Sequence, residues 1–166
     1  MNKQIFVWGM LCLASGLALA QFIVDDPDWK ESEVPPPPAF DLKRLVSVDV
    51  SIRSQLKWGI DPDSIKIMPE GIVRYVVVAQ SESGVVNAMY EGIRCNKSEF
   101  RSYARHNPGS GWVKTANSEW KSLRDTGVSS HPAWLAKQGL CDGAAPPTNV
   151  LSAIRSLRLG GAQPVR

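Results

Sequence analysis

The segment from Pro69 to Cys95 constrains this chain more than any other. Pro69-Glu70-Gly71 reads as a tight turn, and Ile72 to Ala79 follows it as a β-branched run. Ser81-Glu82-Ser83-Gly84 turns the chain again, and Val85 to Cys95 returns. Connections this short make the two runs antiparallel, because a parallel crossover needs about a dozen residues or more. The unbroken Val76-Val77-Val78 predicts that the central strand is buried on both faces.

Weaker strand signals surround this hairpin. Leu45 to Ile52 is β-branched and partly alternating, and Leu56 to Ile60 is closed by Asp61-Pro62-Asp63. Ile65 and Ile67 flank Lys66; Phe100 to His106 and Trp112 to Thr115 are separated by the glycine-rich stretch Asn107 to Gly111. The sum is an antiparallel meander of five to six strands. The C-terminal third changes period. His131 to Gln138 reads as a short helix with Ser130 as cap, a proline in its first turn and Gly139 as its end. Thr148 or Asn149 caps a second helix reaching Leu159, with Val150, Leu151, Ile154 and Leu157 on one face and Gly160-Gly161 as its stop. An amphipathic helix after an antiparallel sheet covers one sheet face, which gives an α+β domain.

The ends of the chain read differently. Lys3 precedes an apolar run from Ile5 to Leu19 of about 15 residues, the length of a secretory signal core and short of the ~20 residues of a membrane span. Ala18-Leu19-Ala20 offers small side chains to a signal peptidase, so residues 1–20 are expected to be removed and Gln21 to become the N-terminus. The alternatives are an uncleaved anchor or a lipid on Cys12, and Leu11 before that cysteine argues against the lipid. Residues 21–42 form an acidic, proline-rich arm: Asp25, Asp26, Asp28, Glu31 and Glu33 precede four consecutive prolines, Pro35 to Pro38. Such a segment runs extended and cannot join a sheet interior. Trp29 and Phe40 are bulky enough to dock it, so the arm is either a surface segment or a tether. Residues 43–166 then form one domain.

Export would leave two cysteines, Cys95 and Cys141, in a compartment that oxidises paired thiols. A bridge between them closes a loop of about 46 residues and contributes roughly 4 kcal/mol on the chain-entropy model. Two free buried thiols are the alternative. The spacing excludes a CxxC redox motif, and two cysteines with two distant histidines make no zinc site, so no metal or cofactor is expected. The formal charge of +3, reduced by one with the loss of Lys3, is too weak a field to imply nucleic acid as a partner.

Several runs resemble the cryptic neisserial protein family. They are Gly71-Ile72-Val73-Arg74-Tyr75, Tyr90-Glu91-Gly92-Ile93-Arg94-Cys95, Tyr103-Ala104, Trp112, Trp120 and Cys141, with Asp28-Trp29-Lys30-Glu31 and the prolines ahead of them. The resemblance implies a small exported bacterial protein without an assigned activity. A looser likeness, to surface-adhesin E type domains, rests on Asp61, Ser64, Ile65 and Cys141. It implies a sheet with a helix and attachment to host or envelope proteins.

Candidate functional residues follow from the same strands. Arg74, Tyr75, Tyr90, Glu91, Arg94, Tyr103, Trp112 and Trp120 are the possible functional surface. Glu91 shares a strand face with Ile93 and Cys95, and Arg74 on the neighbouring strand is its expected salt-bridge partner. His106 and His131 lie beside turn residues and read as surface or capping histidines. Either could pair with Glu91 or Glu99 as base and orienter. Neither serine-glycine stretch forms a nucleophile elbow or a phosphate loop. The tryptophans and tyrosines line a groove for a glycan, peptide or lipid, or pack the core around the disulfide. The expectation is a non-enzymatic periplasmic or cell-envelope protein that binds an envelope protein or component, free in the periplasm or at the membrane periphery. The alternative is a small periplasmic hydrolase or lyase around Glu91.

Overall fold

The computed structural model of the chain describes residues 27–50, 54–125 and 130–160. The expected signal segment therefore lies outside the described residues, as do the end of the run expected over Leu45–Ile52 and Gly161. Among the described residues one eight-stranded sheet forms: β1 (Val46–Val48), β2 (Lys57–Ile60), β3 (Lys66–Ile67), β4 (Ile72–Gln80), β5 (Val86–Arg94), β6 (Glu99–Asn107), β7 (Gly111–Lys114) and β8 (Lys121–Ser122). Its order is β1-β2-β4-β5-β6-β7, all antiparallel, with β3 on β4 and β8 on β6. Two helices follow, α1 (His131–Leu135) and α2 (Val150–Arg158). The class is α+β with a meander core, and the two short outer strands β3 and β8 raise the strand number above the five or six expected.

β4 and β5 pair over their whole length, from Ile72 against Arg94 to Gln80 against Val86. Gly71 at φ +86° and Gly84 at φ +85° close the turns at either end of β4. Every residue of β4 from Ile72 to Ala79 is buried, as the valine run predicts. Val73, Tyr75 and Val77 face a core completed by Ile60, Ile93, Phe100, Leu135, Leu140 and Leu157. Val76 and Val78 face the other way, with Ala88, Tyr90, Tyr103 and Ala104. Burying each such aliphatic side chain stabilises the fold by about 1.5–3 kcal/mol. Helices cover the first face, and the N-terminal arm covers the second through Val34 and Phe40.

Between β2 and β3 the ladder to β4 is broken and then replaced. Asp61 N–H donates to the Val76 carbonyl at 3.1 Å, and Ser64 Oγ accepts from Val76 N–H at 2.8 Å. The Asp61-Pro62-Asp63 turn thus substitutes a hydroxyl for a strand.

The disulfide forms between Cys95, at the end of β5, and Cys141. It pins the segment after α1 to the helix-covered face. That segment, Ala136–Leu140, continues α1 as one wider turn, with Gly139 at φ +144° and Cys141 N–H bonded to the Ala136 carbonyl. Gly139, expected as the helix end, instead breaks the helical φ/ψ inside that wider turn, two residues before the bridge. It also lets α2 approach, since a Cβ there would stand 2.6 Å from Ser156 Cβ and 3.0 Å from Leu157 N. Asn149 caps α2 reciprocally with Ser152. The buried stripe of α2 is Ala153 and Leu157, flanked by Val150 and Ile154, while Leu151 is 76% exposed. Leu151 is expected on that face, but it follows Val150 by one residue and so stands about 100° around the helix from it, whereas Ala153 falls one turn before Leu157 on the buried side.

Candidate functional site

The arm brings residues distant in sequence to one place on the sheet. Glu31 is its centre. Tyr103 O–H donates to Glu31 Oε1 at 2.6 Å, Arg101 Nη1 to Oε2 at 2.7 Å, and Arg74 Nη2 to Oε1 at 3.4 Å. Arg74 also donates to the carbonyls of Ser32 at 2.9 Å and Glu33 at 3.1 Å. Ser32 hydrogen-bonds the Glu70 carboxylate through its N–H and its hydroxyl. Trp29 Nε1 donates to the Glu70 carbonyl, its ring lies 3.6 Å beneath the Arg94 guanidinium, and its edge meets Trp120. At the far end of the arm Phe40 packs edge-on to His106 and Trp112.

Two backbone features aim these groups. The register of β5 against β6 slips at Tyr90/Glu91, pairing Tyr90 with Ala104 and Glu91 with Ser102. The extra residue is Tyr103, which this bulge turns onto the arm side beside Tyr90. Gly92 makes room for its ring, because a Cβ there would lie 2.4 Å from Tyr103 Oη. Burial, then the bond to Glu31, pushes the Tyr103 hydroxyl well up; Arg74 opposes this without reversing it, and the group stays a donor. Burial raises Tyr90 as well. Glu70 behaves oppositely: burial resists its ionisation, but the Ser32 hydroxyl and N–H, with Arg74, hold it below the usual carboxylate range.

The helix side carries a second polar cluster. Tyr75 O–H donates to Glu91 Oε2 at 3.1 Å, and His131 Nε2 lies 2.9 Å from the same oxygen. Trp58 stacks on the His131 ring at 4.9 Å. Burial, reinforced by Glu91, drives the Tyr75 hydroxyl well above its ordinary range. Glu91 and His131 border a cavity of about 80 Å³ with Ser102, Thr115 and Ser118. Substrate sites usually occupy about 300–1,000 Å³.

The expected salt bridge between Glu91 and Arg74 does not form. Arg74 stands opposite Gly92, and Tyr75 opposite Glu91, so strand alternation sends the two charges to opposite sheet faces. Of the possible functional surface, Arg74, Tyr90, Arg94, Tyr103, Trp112 and Trp120 meet on the arm side, and Tyr75 and Glu91 on the helix side. His131, expected at the surface, is buried at 3% exposure. The aromatic residues divide between the two expectations: Trp29, Tyr90, Tyr103, Trp112 and Trp120 gather at the arm, while Tyr75 and Phe100, with Trp58 against them, belong to the core cluster that holds Cys95 and Cys141. Glu31 is not among the site residues that the strands suggest; the signal for it is its place two positions after Trp29, ahead of prolines that hold the segment extended. Among the described residues no group of three or more His, Cys, Asp or Glu is placed to hold a metal ion.

An open groove adjoins the arm cluster. It measures about 1200 Å³ and runs between Glu33 and Pro35 of the arm, Ile65 to Pro69 around β3, and Asn149 to Ile154 of α2, with Arg74 and Tyr90 at its inner wall. Met68 N–H bonds the Ile72 carbonyl. By antiparallel alternation the preceding residue, Ile67, directs its N–H and C=O away from β4, toward the groove side.

These features define a disulfide-bonded α+β domain with helices on one sheet face and its own N-terminal arm on the other. Residues 24–158 match the CNP1-like family, and the chain belongs to it. It is 29% identical over 113 residues to cryptic neisserial protein 1 of Neisseria gonorrhoeae, an alignment covering 61% of this chain and 56% of that protein. The chain thus spans little more than half the length of that relative. No solved structure matches.

Proposed function

We propose that this chain is an exported cell-envelope protein that works as a non-enzymatic binding module, and that the groove beside β3 receives an extended segment of another envelope protein. The observation that carries the reading is a contrast in access. The paired acid and base, Glu91 and His131, are almost wholly buried beside a cavity of about 80 Å³, whereas the groove of about 1200 Å³ is open. The groove offers what an extended peptide uses: an edge strand with outward backbone groups, and apolar side chains of Ile67, Met68 and Leu151. Export rests on the signal pattern of residues 1–20 and agrees with the Cys95–Cys141 bridge.

The hydrolase or lyase reading has one observation in its favour, the hydrogen-bonded Tyr75–Glu91–His131 cluster. One experiment separates the two. A photo-crosslinking residue is placed at Lys66 in the groove, and at Glu82 on the β4–β5 turn as control, in intact producing cells. A discrete adduct from Lys66 alone, on a protein whose mass starts at Gln21, is the expected result. No adduct, together with a hydrolytic activity that His131→Ala removes from a folded protein, would overturn it.

A further inference from the structure

We propose that the cradle of Arg74, Arg101 and Tyr103 is an exchangeable recognition site, in which residues 29–34 are the resident ligand. An acidic, tryptophan-bearing extended segment of a partner protein takes their place. This deepens the binding-module reading and rests on it.

The arm is held as a ligand is held. It joins no strand of the sheet, and Pro35 to Pro38 have no N–H to give one. Side-chain anchors hold it: Trp29 under Arg94, Glu31 in the three-donor cradle, Ser32 on Glu70, and Val34 and Phe40 against the apolar face. Its backbone contributes carbonyls to Arg74 and the N–H of Ser32 to Glu70. Guanidinium forks converging on one carboxylate are how acidic motifs are read in trans.

The resident segment leaves the site incompletely bonded. Arg74 Nε and Arg94 Nε are both buried without a hydrogen-bond partner. Both belong to side chains that the arm covers, and Arg74 is itself only 1% exposed. A buried donor without an acceptor weakens the resident complex, so a segment that brings one more acceptor competes better than its contact area implies. Access is built in as well. Arg74, Glu33 and Pro35 all line the large groove, so an incoming segment seated along β3 meets the cradle at its edge.

The test uses the full exported chain and a fluorescein-labelled synthetic peptide of residues 27–42, read by fluorescence anisotropy. In the wild-type chain the tethered arm competes with the peptide at high effective concentration. Glu31→Ala in the chain loosens the resident ligand and leaves the cradle intact, so the peptide should bind that variant at least 10-fold more tightly. The peptide carrying Glu31→Ala should not bind it, and adding Arg101→Ala to the chain should abolish binding. Arg101→Lys serves if the alanine variant melts early. Equal affinity for the wild-type and Glu31→Ala chains, or indifference to Arg101, would overturn the proposal. So would a wild-type dimer that the peptide dissociates, which would make a second copy the occupant. Failed exchange with a persisting Lys66 adduct removes this inference alone, and loss of both removes the binding module.

Discussion

The side chains of Glu91 and His131 meet at 2.9 Å between the sheet and α1, at 2% and 4% exposure. Neither reaches enough water to be solvated alone, so each depends on the other. His131→Ala strips Glu91 of one of its two partners and removes the ring on which Trp58 stacks. The expected loss is about 2–4 kcal/mol, from one hydrogen-bond partner lost to a buried carboxyl and one ring stack removed. Tyr75→Phe should cost about 1–3 kcal/mol, since one donor is lost and the ring remains. Urea unfolding measures both, and a His131→Ala loss below that of Tyr75→Phe would contradict the pairing.

Gly139 is the second point of fragility. Its φ of +144° is strained for any residue with a Cβ, and the atom would press on the backbone of α2 as well as on Ser156. Overpacking of this kind costs about 1–3 kcal/mol and the backbone strain about 1–3 more. Gly71→Ala meets nothing within 4 Å and carries only the cost of its positive φ. Thermal melts should therefore show Gly139→Ala well below Gly71→Ala, and equal melting points would mean that α2 does not sit against Gly139.

Arm docking should weaken in acid. Although burial opposes ionisation, the Glu70 carboxyl lies below the usual glutamate range because Ser32 and Arg74 favour its ionised form. A group depressed on folding stabilises fully above its unfolded value, and that contribution disappears as pH falls through the lower folded value. Glu70→Ala should melt below the wild type at pH 7, and the gap should close as pH falls below about 4. A gap independent of pH would show that Glu70 acts through packing alone.

Reduction tests the disulfide. The loop it closes spans 46 residues and contains β6 to β8 and α1. Opening it should lower the unfolding free energy by about 4 kcal/mol on the chain-entropy model. Guanidinium unfolding with and without reductant measures this, and unchanged midpoints would mean that the bridge constrains nothing the unfolded chain explores.

What the sequence discloses here depends on the range of the interaction. The β4–β5 hairpin is legible because its turn glycines and β-branched run are local signals. So is α2, whose Asn149 cap and Gly160 stop bracket a helical period. β8 is not, since Lys121 and Ser122 are exposed and carry no apolar pattern. The partner of Glu91 is misread for a subtler reason. Strand alternation separates Arg74 from Glu91 once the register is known, and that register turns on whether the loop after Gln80 holds an odd or an even number of residues, which the serine-rich run before Val86 leaves open. His131 looks like a capping residue because its partners, Trp58 and Glu91, lie far away in the chain. The cradle around Glu31 is the extreme case: its donors come from β4 and from β6, where Tyr103 is itself the bulged residue that no local pattern announces.

That cradle imposes an order on the making of the protein. Glu31 and Arg101 are seventy residues apart, and a ribosome adds about 5–20 residues per second. For roughly 4–14 seconds at that pace, Trp29 and its acidic neighbours exist without the surface that will hold them. The first part of the arm to be made therefore waits for β6 before its carboxylate meets Arg101 and Tyr103.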